Sequence, residues 1–186
     1  MEFTLCYRGP LLATTRSNTR KDHKHDDLRK HFHLQLRALW QQQPLSSHKE
    51  FIDPGSDGNI IHAVEPFQFV ATVSSKLQMV ADLSLTMLRP EPPGRIVTQS
   101  GDIDNRLKTL LDALKVPVRD ELPSKAAPPE SGEPLFFCLL EDDNLITSLD
   151  IRTDRLLDAA NPSEVLLLLH VKTRLVVGTF ANLGLV

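Results

Sequence analysis

The chain has 186 residues, 41% hydrophobic and 24% charged, the composition of one ordinary globular domain, which excludes wholesale disorder and a fibrous architecture. No stretch of about 18 uninterrupted apolar residues occurs, as a membrane-crossing helix would need; the longest apolar run, Val165 to Leu169, is soon followed by His170 and Lys172. The net charge is −3 and the pI about 6.1, so the molecule as a whole does not announce a polyanion partner. Glu2 stands where a secretory leader would carry Lys or Arg, and the expected location is the cytoplasm. Cys6 and Cys138 lie far apart in strand-like runs without CxxC spacing, and are expected to be buried, reduced thiols. Charge is nevertheless uneven. Between residues 8 and 30, Arg8, Arg16, Arg20, Lys21, Lys24, Arg29 and Lys30 face only Asp22, Asp26 and Asp27, a local excess of four positive charges. A solvated loop and helix face is the ordinary explanation of such a run.

In chain order, residues 2 to 7 alternate as a short strand that Gly9-Pro10 should stop. Residues 11 to 21 read as a polar, basic loop. Leu28, Phe32, Leu36, Leu39 and Trp40 then recur every three or four positions, predicting an amphipathic helix from about Asp22 to Gln43, ended by Pro44. The turn-rich Asp53-Pro54-Gly55-Ser56-Asp57-Gly58 makes residues 44 to 65 an irregular connection. Alternation from Phe67 to Val73 and again from Leu77 to Met87 suggests two strands of an antiparallel hairpin. Ile103, Leu107, Leu110, Leu111 and Leu114 form a second helical stripe, stopped near Pro117. Residues 117 to 134 hold five prolines and few apolar side chains, an unusually long connection for a compact domain. Strands are expected at Leu135 to Leu140, Leu145 to Thr153 and Val165 to Val176. The order departs from regular β-α alternation. It predicts a single α+β domain spanning residues 1 to 186, with a mixed or mainly antiparallel sheet and two principal helices on one face.

The most informative stretch is Gly101-Asp102-Ile103-Asp104-Asn105-Arg106-Leu107-Lys108, which opens the second helix. One aspartate there is explained by capping and the helix dipole. The second is harder to explain that way. If the chain is still extended before residue 104, a period of two puts Asp102 and Asp104 on one side. Asp104, Lys108 and Asp112 follow at spacings of four, in a polar file opposite the leucine stripe. A surface ion pair is the ordinary reading of such a file. Downstream, Glu141-Asp142-Asp143 separates two apolar runs, and an exposed turn accounts for it equally well. Should the two acidic clusters converge, they would offer hard oxygen ligands to Mg2+ or Mn2+. The chemistry implied is metal-assisted phosphodiester hydrolysis, with Lys108 placed to stabilise transition-state charge or to orient water.

At these residues the chain resembles the RusA-type Holliday junction resolvases, whose pattern is Asp-x-Asp-Asn-x-x-Lys-x-x-x-Asp-x-Leu and then a paired Asp-Asp before a strand. The match falls on Asp102, Asp104, Asn105, Lys108, Asp112, Ala113, Leu114, Asp142 and Asp143. The resemblance implies a Mg2+-dependent endonuclease of branched DNA, serving recombination and repair and working as a homodimer. Asp102, Asp104 and Asp143 would be the metal-binding carboxylates, Lys108 the catalytic lysine and Asp142 a neighbouring acid. The motif occupies about fifty residues. The long connection between the acidic clusters and the acidic overall balance depart from the family's pattern. A non-catalytic nucleic-acid- or protein-binding member of the same fold is the alternative.

Arg16, Arg20, Lys21 and Lys24 are the expected DNA contacts in the basic arm. His23, His25, His31 and His33 invite a zinc reading, but i, i+2 histidines diverge on a helix and no second ligand cluster matches them. They are expected to face solvent or phosphate. Phe32 and Trp40 belong to the apolar stripe. No GxGxxG, Walker A or GxSxG motif is present, so no nucleotide cofactor is expected.

Overall fold

The computed structural model describes residues 1–11, 21–91, 103–122 and 133–185, with the side chains of the second segment described from residue 25 onward. Seven strands and two helices follow in the order β1 (Glu2–Pro10), α1 (Lys21–Trp40), β2 (Ile61–Val64), β3 (Phe67–Val73), β4 (Met79–Arg89), α2 (Ile103–Leu114), β5 (Leu135–Leu140), β6 (Ile146–Arg155) and β7 (Glu164–Leu175). The fold is α+β, as expected, but the strands divide between two sheets rather than one: β1-β7-β4-β6 and β2-β3-β5. Both are mixed. In the larger, β4 pairs antiparallel with β7 and parallel with β6; in the smaller, β3 pairs antiparallel with β2 and parallel with β5.

This division corrects the hairpin read from residues 67 to 87. β3 and β4 are consecutive strands of different sheets, and the true hairpin is β2-β3, whose short first strand lay hidden in the turn-rich connection. The burial of β3 shows why. Phe69 through Val73 are buried on both faces, as befits the middle strand of a covered sheet, whereas β4 buries alternate residues, Met79, Ala81, Leu83, Leu85, Met87 and Arg89, and turns Ser84 to solvent. Leu135 to Leu140, a continuous apolar run, is likewise buried on both faces.

A single hydrophobic cluster joins both helices to both sheets. Leu28, Phe32, Leu36 and Trp40 of α1 meet Leu110, Ala113 and Leu114 of α2 together with Leu83, Leu85, Leu167, Leu169 and Val171 of the larger sheet and Val70, Phe137 and Leu139 of the smaller. Phe69, Phe136 and Cys138 form a second, small cluster on the other face of the smaller sheet. Trp40 also spends its indole N–H on Thr72 Oγ1 at 3.2 Å. Among the described residues no helix is long and apolar enough to cross a membrane.

Several local readings are revised. The first strand runs through Gly9-Pro10, because β1 lies at the sheet edge where proline's missing N–H costs little. A Cβ at Gly9 would stand 2.7 Å from Oη of Tyr7, so the tyrosine side chain, whose hydroxyl folds over the strand to donate to the Pro10 carbonyl, would have to shift. α1 ends at Trp40, and 3-10 turns at Leu45–Ser47 and Lys49–Phe51 follow. Cys6 is exposed, because alternation on an edge strand turns it away from the core; only Cys138 is buried, and burial pushes its thiol up to about 12. His31 is exposed, as expected, whereas His33 is buried. His31 bonds the Cys6 carbonyl at 2.9 Å. The fully buried His33 accepts from the Phe137 N–H at 2.9 Å, which leaves Nε2 to donate to Glu133 at 2.8 Å.

On the outer face of the larger sheet, Arg174 of β7 grips Asp82 of β4 through two hydrogen bonds of 2.9 and 3.1 Å, and Thr147 of β6 donates to the same carboxylate at 2.7 Å. Hydrogen bonds from Arg174 and then Thr147 hold the Asp82 carboxyl down at about 2. This ties three strands together with a contribution that is complete above the ordinary aspartate range and is lost as pH falls toward 2. An NMR titration of the Asp82 carboxyl carbon should give a midpoint of about 2, and Arg174→Gln should return it toward about 4. A wild-type midpoint near 4 would remove the clamp.

Candidate functional site

α2 forms where the leucine stripe requires it, buries Leu110, Ala113 and Leu114, and carries the polar file on its other side. Its end is fixed against β5: the Val116 N–H donates to the Leu140 carbonyl at 2.9 Å, and Lys115 bridges Leu140. From α1, the fully buried Arg29 donates to the Asp112 carbonyl at 3.1 Å, placing a cation at the negative end of the α2 dipole. β5 runs directly into the acidic turn, so the last turn of α2 and Glu141-Asp142-Asp143 lie side by side.

The three acids of that turn do different work. Glu141 accepts from Ser74 Oγ, Ser75 N and Ser75 Oγ, each at 2.8 Å, and so fastens the turn to the β3–β4 connection. Burial works against its charge, but these hydrogen bonds prevail and hold its carboxyl below the usual glutamate range. Asp142 caps the short 3-10 turn Asp143–Leu145 by accepting from the Asn144 N–H at 2.9 Å. Asp143 is exposed, and its carboxylate lies 3.8 Å from the Lys115 ammonium, which is also 3.5 Å from Asp112. Burial opposes the charge on Lys115, yet Asp112, Asp143 and Glu121 together hold it above the ordinary lysine range.

Asp104 stands at the opposite end. It is exposed in the first turn of α2 and accepts from the Asn105 N–H at 2.8 Å. Lys108 is exposed one turn on and, among the described residues, makes no ion pair, so the surface bridge suggested by the i, i+4 spacing does not form. Eight residues of helix separate Asp104 from Asp112, a rise of about 12 Å. The structure thus gathers Asp143 with Asp112 and Lys115, and leaves Asp104 with Lys108. Asp102, Arg16 and Arg20 lie outside the described residues, as do the side chains of Lys21 and Lys24. Among the described residues, no group of three acidic, histidine or cysteine side chains is placed to hold a metal ion. Asp104 lies in the first turn of α2 and Asp143 beside Lys115 just past its last turn, and the Lys115 ammonium stands between Asp112 and Asp143.

The basic segment is also partly consumed within the fold. Arg8 pairs with Glu164 at 2.9 Å and Asp158 at 3.0 Å, Lys30 pairs with Asp26 at 3.0 Å, and Arg29 is the buried anchor of α2. Sequence reasoning did not single out Lys115 or Arg106. Arg106 carried a signal, a charge on the buried side of a helix, three residues after Ile103 and four before Leu110.

Lys115→Met keeps the stem and removes the charge, so two carboxylates lose their common cation. Urea denaturation should show a loss of roughly 0.5–1 kcal/mol after allowance for solvent screening, and unchanged stability would show that the ammonium contributes nothing. Comparison of the chain with protein-family models, with curated proteins and with solved structures returns no match.

Proposed function

We propose that the chain is a structure-selective endonuclease that hydrolyses phosphodiester bonds in branched DNA, of the RusA type and acting as a homodimer. The observation that carries this reading is the Asp-x-Asp-Asn-x-x-Lys run at the opening of α2, with Asp104 and Lys108 both exposed one turn apart on the same file. That placement supports an anion-handling role for Lys108: an ammonium that makes no ion pair among the described residues can neutralise charge that develops on a phosphoryl oxygen. The family resemblance implies Mg2+. Asp104 and Asp143 stand near opposite ends of α2 and Asp102 lies outside the described residues, so no chemical step is derived through an ion. Mixing Asp104→Asn chains with Asp143→Asn chains asks whether two copies of the protein share their carboxylates.

A second reading, a junction-binding protein without turnover, is favoured by the Lys115 ammonium, which already compensates Asp112 and Asp143 at 3.5 and 3.8 Å. Both readings are decided by one assay: a panel of four-way, flap and single-stranded DNA substrates, with and without Mg2+. Under the nuclease reading the wild type cleaves a branched substrate and Asp104→Asn loses on the order of a hundredfold in rate while keeping its fold. Full activity in Asp104→Asn removes the assignment; binding without cleavage by the wild type selects the second reading. For the basic arm, Arg16, Arg20 and Lys24 replaced together by Gln should weaken binding and flatten the slope of log K against log salt. An unchanged slope excludes the arm from the contact.

A further inference from the structure

At the far end of α2, a cavity of about 690 Å3 opens between the end of β4 (Pro90, Glu91), the first turn of the helix (Arg106) and the β6–β7 loop from Ala159 to Ser163. Its walls are mostly small and apolar. Its charged lining is unusual. Arg106, with 7% of its side chain exposed, donates from Nη2 to Glu91 Oε1 at 3.1 Å, while its Nε and Nη1 are buried without a hydrogen-bond partner among the described residues. Behind it Arg89, 5% exposed, brings Nε to 3.8 Å from Glu91 Oε2, an ion pair without a hydrogen bond that leaves this oxygen also buried and unpartnered among the described residues. Two buried guanidinium groups thus share one carboxylate, which leaves one positive charge in excess.

Burying guanidinium N–H groups without acceptors forfeits their hydration and demands an explanation. A guanidinium presents its donors as a planar fork that matches phosphate oxygens, and it cannot escape the penalty by losing its proton. The N-terminal end of α2, with its partial positive charge, adds to the same field. An anion bearing several acceptor oxygens would complete this site, and a second carboxylate from the chain is not supplied by the described lining.

We infer that this cavity is a phosphate-binding subsite that takes a backbone phosphodiester of the bound DNA strand, held by Arg106 with Arg89 supporting it and Glu91 acting as the internal counter-ion that ligand competes against. The inference rests on the nucleic-acid reading above and extends it: Arg106 lies in the same helical turn as Asp104, so a phosphate held here would anchor the strand at the end of α2 that carries the Asp-x-Asp motif. Arg106 and Arg89 are binding residues in this scheme. Glu91 sets the affinity by how firmly it occupies their donors.

The test measures binding of a fluorescent four-way DNA junction by the full chain in EDTA, over a salt series, with thermal melts of each variant. Arg106→Gln should weaken binding roughly tenfold near 0.1 M salt and lower the salt slope by about one. Glu91→Gln should do the opposite, tightening binding, because it frees both arginines. A purely structural Arg-Glu pair predicts weaker or unchanged binding in both variants, and that result overturns the subsite. If Arg106→Gln fails to fold, Glu91→Gln decides alone: tighter binding supports the subsite, and unchanged or weaker binding overturns it. Thermal stabilisation of the wild type by millimolar inorganic phosphate, with neither substitution altering DNA binding, would give the cavity to free phosphate and overturn the backbone assignment. A wild type that binds no junction overturns it as well. Failure of the nuclease reading is distinct: junction binding that responds to both substitutions, without cleavage in Mg2+, leaves the subsite standing.

Discussion

The placement of α2 depends on how its C-terminal turn is held. A buried guanidinium, Arg29, reaches from α1 to the Asp112 carbonyl, and the chain leaving the helix bonds at once to β5 through Val116 and Leu140. Removing that donor would strand a buried acceptor at a cost of about 1–3 kcal/mol. With this end fixed, helical geometry dictates the rest. Asp112 and Lys115 must lie beside Asp143, Asp104 must lie two turns away, and Arg106 must turn inward toward β4. The separation of the acidic residues and the burial of a charged residue in the first turn have one cause.

The cations of this acidic chain fall into two groups. Arg8, Lys30 and Arg174 are each engaged by a carboxylate of the fold, so they contribute little free positive potential. Arg29 and Arg106 are different, since each is buried with donors left over among the described residues. Arg29 faces the carbonyl end of a helix, where backbone dipoles stabilise a cation. Arg106 sits at the opposite, positive end, where the helix disfavours it and where, among the described residues, Glu91 alone supplies counter-charge at hydrogen-bonding range. A cation kept in an unfavourable field beside an open cavity has a physical reason to meet an anion from outside.

Legibility in the sequence followed period and length. Helix α2 and strand β5 begin and end where the apolar pattern places them, because an amphipathic stripe and an unbroken apolar run each have one economical burial. β2 was hidden because four residues with no strict alternation, next to Asp-Pro-Gly and Asp-Gly turns, carry too little pattern. The hairpin reading of β3 and β4 failed for a different reason. Adjacent strands in sequence usually pair, but β3 buries both faces and needs neighbours on both edges, which β2 and β5 supply from either side. The histidines misled because His33 is held in the core by an amide and a carboxylate that come from a hundred residues away.

The sequence by itself determined the α+β class, the two amphipathic helices and the carboxylate-rich opening of α2, since these depend on residue type and spacing along a continuous stretch of chain. Tertiary structure alone decided that the strands form two sheets, that Lys115 stands between Asp112 and Asp143, and that Arg106 is enclosed with Arg89 and Glu91. Contacts between distant segments depend on how faces pack and which charges are left unmatched. Local periodicity records which side of an element is buried, but it does not say against what.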